Sequence, residues 1–517
     1  MRRLVLLCAF ALPAAANLIL VPSQQPTIQA GLNAAQVSDT VLVAPDTYQE
    51  QLSWPSIDGV TLLSEAGPES TIVDAQHAGI CLEMTSGSLT RRTVVCGFTF
   101  ANGLDQGIRC LGSPTIIGNR VTGCLGVGVF LSSSSPSFNP LLKGNEIDGC
   151  RNEEEGWNYG AGVYVNASNA AARPELCHNH IHHDTLINSA RNYGGGIYCG
   201  AEALIYQNVI EANVLTCDTG TTCRAYGGGI FVASNKKPLI FCNLIVGNRC
   251  ETDAWKYGAG IRTYLGAQPL IVNNTIADNV CTGPHMWSNG GGIYTDMRCT
   301  TYVKNNVVAN NQATTGSGIY CNTSQGGTVI SLHNDYWNNV LAGCSMGTGD
   351  IAQDPLFVSG DNPGYFLSQE AAGQPSTSPC VDAGDTLLLN DPVKLDSLLH
   401  AWTTRTDSIV DVEQTDMGYH YPSGVMTGVG EPPVFREALR PLSASPSLFV
   451  SRTVLRAAPY DRVCVFDRTG REVRVLTADG NGEATWHGVD TEGSELAAGV
   501  YLARATGHRP KTLLKLR

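Results

Sequence analysis

Between residues 126 and 320 the apolar positions recur in one short phrase: Gly-x-Gly, an aliphatic residue, then an aromatic one. It reads Gly-Val-Gly-Val-Phe at 126–130, Gly-Ala-Gly-Val-Tyr at 160–164, Gly-Gly-Gly-Ile-Tyr at 194–198 and Gly-Gly-Gly-Ile-Phe at 227–231. Gly-Ala-Gly-Ile-Arg at 258–262, Gly-Gly-Gly-Ile-Tyr at 290–294 and Gly-Ser-Gly-Ile-Tyr at 316–320 continue it. Counted from the aliphatic residue, the steps are 34, 34, 33, 31, 32 and 26 residues. A second phrase, Asn-x-[Ile/Val], interleaves with it at Asn119, Asn145, Asn179, Asn208, Asn243, Asn274 and Asn306. Two phrases sharing one period define a solenoid. The apolar runs are short, rich in Ile, Val, Tyr and Phe, and bounded by Gly or Asn, which is the pattern of strands and not of helices. Two or three such strands per turn predict an all-β chain wound as a parallel β-helix.

Alternation assigns the faces. If the aliphatic residue points inward, so do Leu131, Val165, Cys199, Val232, Thr263, Thr295 and Cys321, a column small enough for a narrow core. The outer column is then Phe130, Tyr164, Tyr198, Phe231, Arg262, Tyr294 and Tyr320. The repeating Asn suits sharp corners, since Asn tolerates the left-handed backbone and its amide can bond neighbouring backbone. Stacked coil on coil, these residues predict a structural ladder. Five positions after each Asn comes Cys124, Cys150, Asp184, Asn213, Asn248, Asn279 or Asn311.

Composition adds a compartment. Residues 1–16 read as a secretory leader: Arg2-Arg3, an apolar run from Leu4 to Leu12, then Ala14-Ala15-Ala16. That predicts a secreted or cell-surface protein, with no transmembrane segment in the mature chain. The formal charge is −13, and removing Arg2 and Arg3 makes it −13 − 2 = −15. So acidic a body excludes nucleic acid as a partner. Of the 18 cysteines, Cys8 leaves with the leader. Cys217 with Cys223, or Cys250 with Cys281, could bridge; Cys199 and Cys321 belong to the inner column.

Residues 18–50 read as a strand, a short amphipathic helix at about 26–36 and a second strand, the helix capping the open end of the solenoid. This entry and the repeats after it resemble the right-handed parallel β-helix proteins of the pectin-lyase-like superfamily, over residues 17–422. Asp335-Tyr-Trp-Asn-Asn, Asp354-Pro-Leu-Phe, Ser378-Pro-Cys-Val-Asp-Ala-Gly and Asp416-Met-Gly-Tyr resemble the closing phrases of secreted β-helix proteins. Residues 423–436 read as a linker. From 437 to 517 alternating strands predict a small β-sandwich. Gly499-Val-Tyr and the terminal Lys515-Leu-Arg make it similar to the C-terminal sorting modules of type IX secretion substrates. That resemblance implies a secretion or sorting machinery as a partner.

Enzymes of the superfamily cleave polysaccharides, some with calcium held by clustered aspartates, others with paired carboxylates. No phrase of this chain reproduces such a cluster. The thin catalytic candidates are Asp296, the one acidic residue beside the outer column, and Arg262 one coil earlier. Long loops are expected at 151–159, 185–193, 214–226, 249–257 and 280–289, walling one side of the aromatic face. At their ends Trp157, Arg191, Arg224, Trp255 and Trp287 stack at coil spacing, beside Tyr159, Tyr193, Tyr226 and Tyr257. With Tyr164, Tyr198, Phe231, Tyr294 and Tyr320 they form the expected substrate-binding set, because sugar rings stack on aromatic planes. The alternative is a set of rings and cation–π pairs that only stiffens the sheet. His178, His180 and His182 form the densest ligand-like cluster, yet a corner at Asn179 argues for exposed strand over a metal site. Extracellular polysaccharide is the expected partner. A lyase or glycoside hydrolase, and a non-enzymatic adhesive or structural protein, are the alternatives; no cofactor is expected, with calcium the one possibility.

Overall fold

The computed structural model describes residues 17–153, 157–187, 190–217, 223–283, 287–359, 364–385, 399, 402–410 and 414–422, and most of 440–515. The leader and the linker therefore lie outside the described residues. From Leu18 onward the chain coils through three parallel sheets of 12, 10 and 11 strands, here sheets 1, 2 and 3 in the order each coil visits them. The predicted register holds. Val129, Val163, Ile197, Ile230, Ile261, Ile293 and Ile319 are successive partners in sheet 3. Leu131, Val165, Cys199, Val232, Thr263, Thr295 and Cys321 all point into the core and are buried. The helix is Ile28–Ala34, shorter than expected; the Thr27 hydroxyl accepts from Ala30 N at 3.0 Å, and Ile28 and Leu32 close the end of the core.

The Gly-x-Gly phrase has two separate causes. From Gly160 on, its first glycine turns the chain into sheet 3 with left-handed backbone, as at Gly227 with φ +74°. Its second lies against the next coil: a Cβ at Gly229 would sit 2.7 Å from the Gly260 carbonyl oxygen. No side chain fits there.

The Asn corner is a hydrogen-bond relay. Asn243 shows the unit: its N–H donates to Asn274 Oδ1 at 2.9 Å, and its Nδ2 to the same oxygen at 3.0 Å and to the Ile205 carbonyl of the coil before at 2.8 Å. The relay runs from Asn119 to Asn334, where Asp350 ends it by accepting both donors of Asn334 with Oδ1. A carboxylate suits that end, because it accepts without needing to donate. The second column repeats the relay from Asn213 onward, but Asp184 stands in it one coil earlier. Its Oδ1 accepts from Cys150 N at 2.8 Å, while its Oδ2 is buried without a partner. Burial pushes this carboxyl well above the ordinary aspartate range.

The stretches expected as loops are strands. Each leaves sheet 2, runs three residues or fewer outward, turns, and returns beside itself, as in Val214–Thr216 and Arg224–Tyr226. Their copies stack into two further five-stranded parallel sheets, a flap built on five successive coils. Three-residue strands carry too little alternation to be read singly; stacking on their own repeats supplies the hydrogen bonds. Leu186, Leu215, Ala225, Cys250 and Cys281 fill the space between the two flap layers. Cys217 and Cys223 are disulfide-bonded at one flap tip, whereas Cys250 and Cys281 are neighbours in register and both free.

The first closing phrase extends the coil, with Asp335 bridged to Val307 and Asn339 accepting from Asn311 N, and the later ones do not. The described residues between 354 and 422 lie along the corner between sheets 1 and 2, where the side-chain amides of Asn305, Asn273 and Gln207 donate in turn to the carbonyls of Asp385, Asp416 and His420. Phe366, Met417, Tyr419 and Tyr421 cover an apolar patch that includes Phe241, Val246 and Val307. Residues 440–515 hold a three- and a five-stranded sheet, largely antiparallel, around a separate core of Leu455, Val463, Trp486, Tyr501 and Leu513.

Candidate functional site

The inner layer of the flap packs on the outer face of sheet 3, and the junction between them follows the solenoid axis over successive coils. Its floor is the outer column of sheet 3. In register are Phe130, Tyr164, Tyr198, Phe231, Arg262, Tyr294 and Tyr320. Its wall is the inner layer of the flap. Tyr159, Tyr193, Tyr226 and Tyr257 lie nearest the floor, and Trp157, Arg191, Arg224 and Trp255 are in register two residues further out. Trp287 continues the outer row: its carbonyl accepts from Lys256 N at 3.0 Å. The residues singled out in the sequence are thus brought into register on neighbouring strands.

Their packing differs from the expectation. The rings of the floor stack on one another: Phe130 on Tyr164 at 4.7 Å between centroids, Tyr164 on Tyr198 at 4.9 Å, Tyr294 on Tyr320 at 5.1 Å, with interplanar angles of 5°, 5° and 10°. Tyrosines of the wall meet them edge-on, Tyr159 against Tyr198 at 5.0 Å and Tyr193 against Phe231 at 5.0 Å. Inside the column, faces are taken by neighbours one coil away, because the strand spacing of about 4.8 Å falls within the centroid separations that offset-stacked rings adopt. Phe231 and Tyr294 are buried outright. The open aromatic plane expected of them is absent; where the floor is exposed it presents ring edges and phenol hydroxyls. Burial pushes the Tyr257 hydroxyl up to about 12 and raises those of Tyr198 and Tyr294 too.

Arg262 interrupts the rings without opening them. Its guanidinium carbon lies 3.6 Å from the Tyr226 ring centroid and 5.2 Å from those of Tyr257 and Tyr294. Nη2 donates to Asp296 Oδ2, whose partner oxygen Oδ1 accepts from Met297 N at 2.8 Å. The two side chains are only 4% and 5% exposed, so in this arrangement neither is open to solvent. Burial acts against the Arg262 charge, but the Asp296 carboxylate and the electron-rich Tyr226 and Tyr294 outweigh it and hold the proton more firmly than usual. The pair thought of as an acid–base couple is a buried clamp.

What remains accessible is the outer row. Trp287 is 55% and Trp255 is 37% exposed. Arg224 lies 3.7 Å over the Trp255 ring and reaches the Tyr226 hydroxyl at 3.5 Å, next to Arg191 in register. Two guanidiniums one coil apart make a positive strip on an acidic protein. Of the loop carboxylates, Glu153 pairs with Arg151 and Glu251 with Arg249; Glu154, Glu155 and Asp218 lie outside the described residues.

The histidine cluster is elsewhere, on the outside of sheet 2. Asn179 is indeed a corner, which separates His178 from His180 and His182. His180 Nε2 meets Glu211 Oε1 at 2.7 Å, and His182 Nδ1 meets His183 Nδ1 at 2.8 Å. Among the described residues no three His, Cys, Asp or Glu are placed to hold a metal ion, and no helix is long and apolar enough to cross a membrane.

Residues 226–353 match the sequence family described as "Right handed beta helix region". The solenoid is a right-handed parallel β-helix. Two solved structures are similar to the chain: the PL6 family alginate lyase AlyGC, with a TM-score of 0.32, and a point mutant of it, with 0.31. Each is 15% identical and covers 72% of this chain. The chain spans 58% and 59% of their lengths. No curated protein matches it.

Proposed function

We propose that the protein is an extracellular polysaccharide-binding β-helix whose ligand lies along the groove between sheet 3 and the flap. The observation that supports this reading is the outer row, half-buried Arg191 and Arg224 with exposed Trp255 and Trp287, repeated at coil spacing above a row of tyrosines. A linear glycan offers hydroxyls and apolar ring faces at regular intervals. An axial groove answers with guanidinium and phenol hydrogen bonds and with exposed indoles. A flap that served only to stiffen the sheet would need no exposed tryptophan.

The enzymatic reading belongs to the same groove. Lyases and hydrolases of β-helix architecture work on such chains, and hydrolysis by two carboxylates needs both within reach of one bond. Among the described residues, that face of sheet 3 carries Asp296, tied to Arg262, and Glu83, paired with Arg109 two coils before the flap begins. The binding reading is therefore the better supported.

The test is affinity electrophoresis of the full mature chain through gels containing xyloglucan, galactomannan, alginate or polygalacturonate, with ultraviolet absorbance followed for unsaturated products. At least one polysaccharide is expected to retard the wild type. Arg224→Ala is expected to weaken that retention several-fold, since a charge-assisted hydrogen bond is stronger than a neutral one. No retardation by any of the four, or full retention in Arg224→Ala, would count against the groove. Unsaturated products would make the protein a lyase acting at it.

A further inference from the structure

The stacked floor has an end. From Tyr164 on, each floor residue has a ring or the Arg262 guanidinium in register on both sides, until Tyr320; at the opposite end Phe130 is in register with Arg109. One face of Tyr320 stacks on Tyr294 at 5.1 Å, with the planes 10° apart, so the other points at the next coil. There the residue in register is Ala342. A methyl group stands where every earlier coil from Phe130 on places a ring or the Arg262 guanidinium. No other ring meets Tyr320 among the described residues, and Tyr320 keeps partial exposure.

The wall stops at the same height. After Asn289 the chain makes no further excursion: Val280 bridges to Gln312 and Asn289 to Thr315, so residues 312–315 cross directly where five earlier coils carry the flap. Trp287 is therefore the last residue of the outer row, 55% exposed and without a ring partner among the described residues. Beyond it Val340, 62% exposed, adjoins the Leu341–Ala342 strand. The groove thus ends in a step: a free tyrosine face on the floor, a free indole at the lip one coil before it, and an exposed aliphatic surface.

We infer that this step is the sugar-stacking subsite of the groove, where one pyranose of the bound chain lays its apolar face on Tyr320 beside Trp287. This rests on the polysaccharide reading and deepens it. The physical argument is one of available area. A pyranose gains from an aromatic ring only if its C–H face can cover the ring plane. Rings inside the column have no plane to offer, whatever their number. Tyr320 has one, with a floor residue of minimal bulk beside it. The step also gives the groove a direction: hydrogen-bonding side chains along its length, and one apolar contact at the C-terminal end of the solenoid.

The test uses the full mature chain and whichever of xyloglucan, galactomannan, alginate or polygalacturonate retards the wild type most. Tyr320→Ala should lose about tenfold in affinity, a change of about 1.4 kcal/mol, whereas Tyr320→Phe, which keeps the plane, should stay within about twofold. Phe231→Leu, inside the column at a residue only 2% exposed and without a hydroxyl, should also stay within about twofold. Ala342→Phe answers the concern that Tyr320→Ala unfolds the end coil. It removes nothing, adds the next ring of the stack, and should abolish the contact by occupying the face while leaving the melting temperature unchanged or higher. Equal retention of wild type, Tyr320→Ala and Ala342→Phe would overturn the subsite and leave the groove standing. A loss in Phe231→Leu as large as in Tyr320→Ala would overturn its placement at the end. A wild type retarded by none of the four polysaccharides would overturn both subsite and groove.

Discussion

Arg262→Met should destabilise the β-helix by about 3–5 kcal/mol, because it leaves the Asp296 carboxylate buried without its counter-charge. Asp296 is 5% exposed on its side chain, and Met297 N is its other donor. The substitution also takes a cation from between the Tyr226, Tyr257 and Tyr294 rings, an interaction worth about 2 kcal/mol where water is excluded. Calorimetric melting shows this directly. In a solenoid each coil draws its stability from its neighbours, so the loss appears first as early melting of the surrounding coils. Adding Asp296→Leu to Arg262→Met should recover part of the loss, since removing both charges leaves nothing unpaired. A single variant that melts with the wild type would show that the clamp carries no stability.

The second expectation concerns pH. Asp184 occupies a slot that its successors Asn213, Asn248, Asn279 and Asn311 fill with amides. The Nδ2 of Asn213 donates to the Ile181 carbonyl and to Asn248 Oδ1. Asp184 has a donor to match only when its carboxyl is protonated. Around it stand Cys150, Cys124 and Asp148, none able to neutralise an anion. An unfolded aspartate titrates near about 3.9. Below that pH both states are protonated, and the group's contribution to stability is fully present. As pH rises the unfolded chain releases the proton first. The folded state holds it until its own raised value, and stability falls across the interval by about 1.4 kcal/mol per pH unit. Asp184→Asn should therefore melt close to the wild type at pH 4 and clearly above it at pH 8. Asp335, which burial pushes up to about 6, tilts both proteins alike and cancels in the comparison. Parallel melting curves of wild type and variant across that range would mean that Asp184 is accommodated as an anion.

The coil was legible because its signals are local and repeated. Gly-x-Gly with an aliphatic residue marks a turn whose φ and clearance only glycine meets, and it fixes the register from Val129 to Ile319. Asn at each corner announces the relay that runs from Asn119 to Asn334. The inner column followed from alternation alone. Other features depend on contacts between coils that no single coil encodes. The flap strands are stabilised by their own copies, so Thr185–Ile187 or Arg191–Tyr193 read singly as loop. Residues 354–422 read as further coils because their phrases resemble closing turns. The position of their described residues against Asn305, Asn273 and Gln207 depends on side-chain amides 80 to 213 positions away in sequence.

The candidate site was legible as a set of residues and misread as a surface. The sequence placed Tyr164, Tyr198, Phe231, Tyr294 and Tyr320 on one outer face, and they are there. Outward of the sheet is not the same as open to water once a flap folds over it. Aromatic residues at strand spacing stack on each other before they stack on anything else. Arg262 in an aromatic column was the visible hint: a cation among rings one coil apart is held by them, and Asp296 is its counter-charge.

Collisional quenching of tryptophan fluorescence tests the groove most directly. Trp54, Trp402 and Trp486 are buried, whereas Trp255 and Trp287, on the outer row, are 37% and 55% exposed. Acrylamide should quench the protein efficiently, and quenching should fall when the polysaccharide that retards it in gels is added. Trp287→Phe should lose a large part of that protection. Retardation in the gel with quenching unchanged would place the ligand elsewhere on the solenoid and contradict the groove.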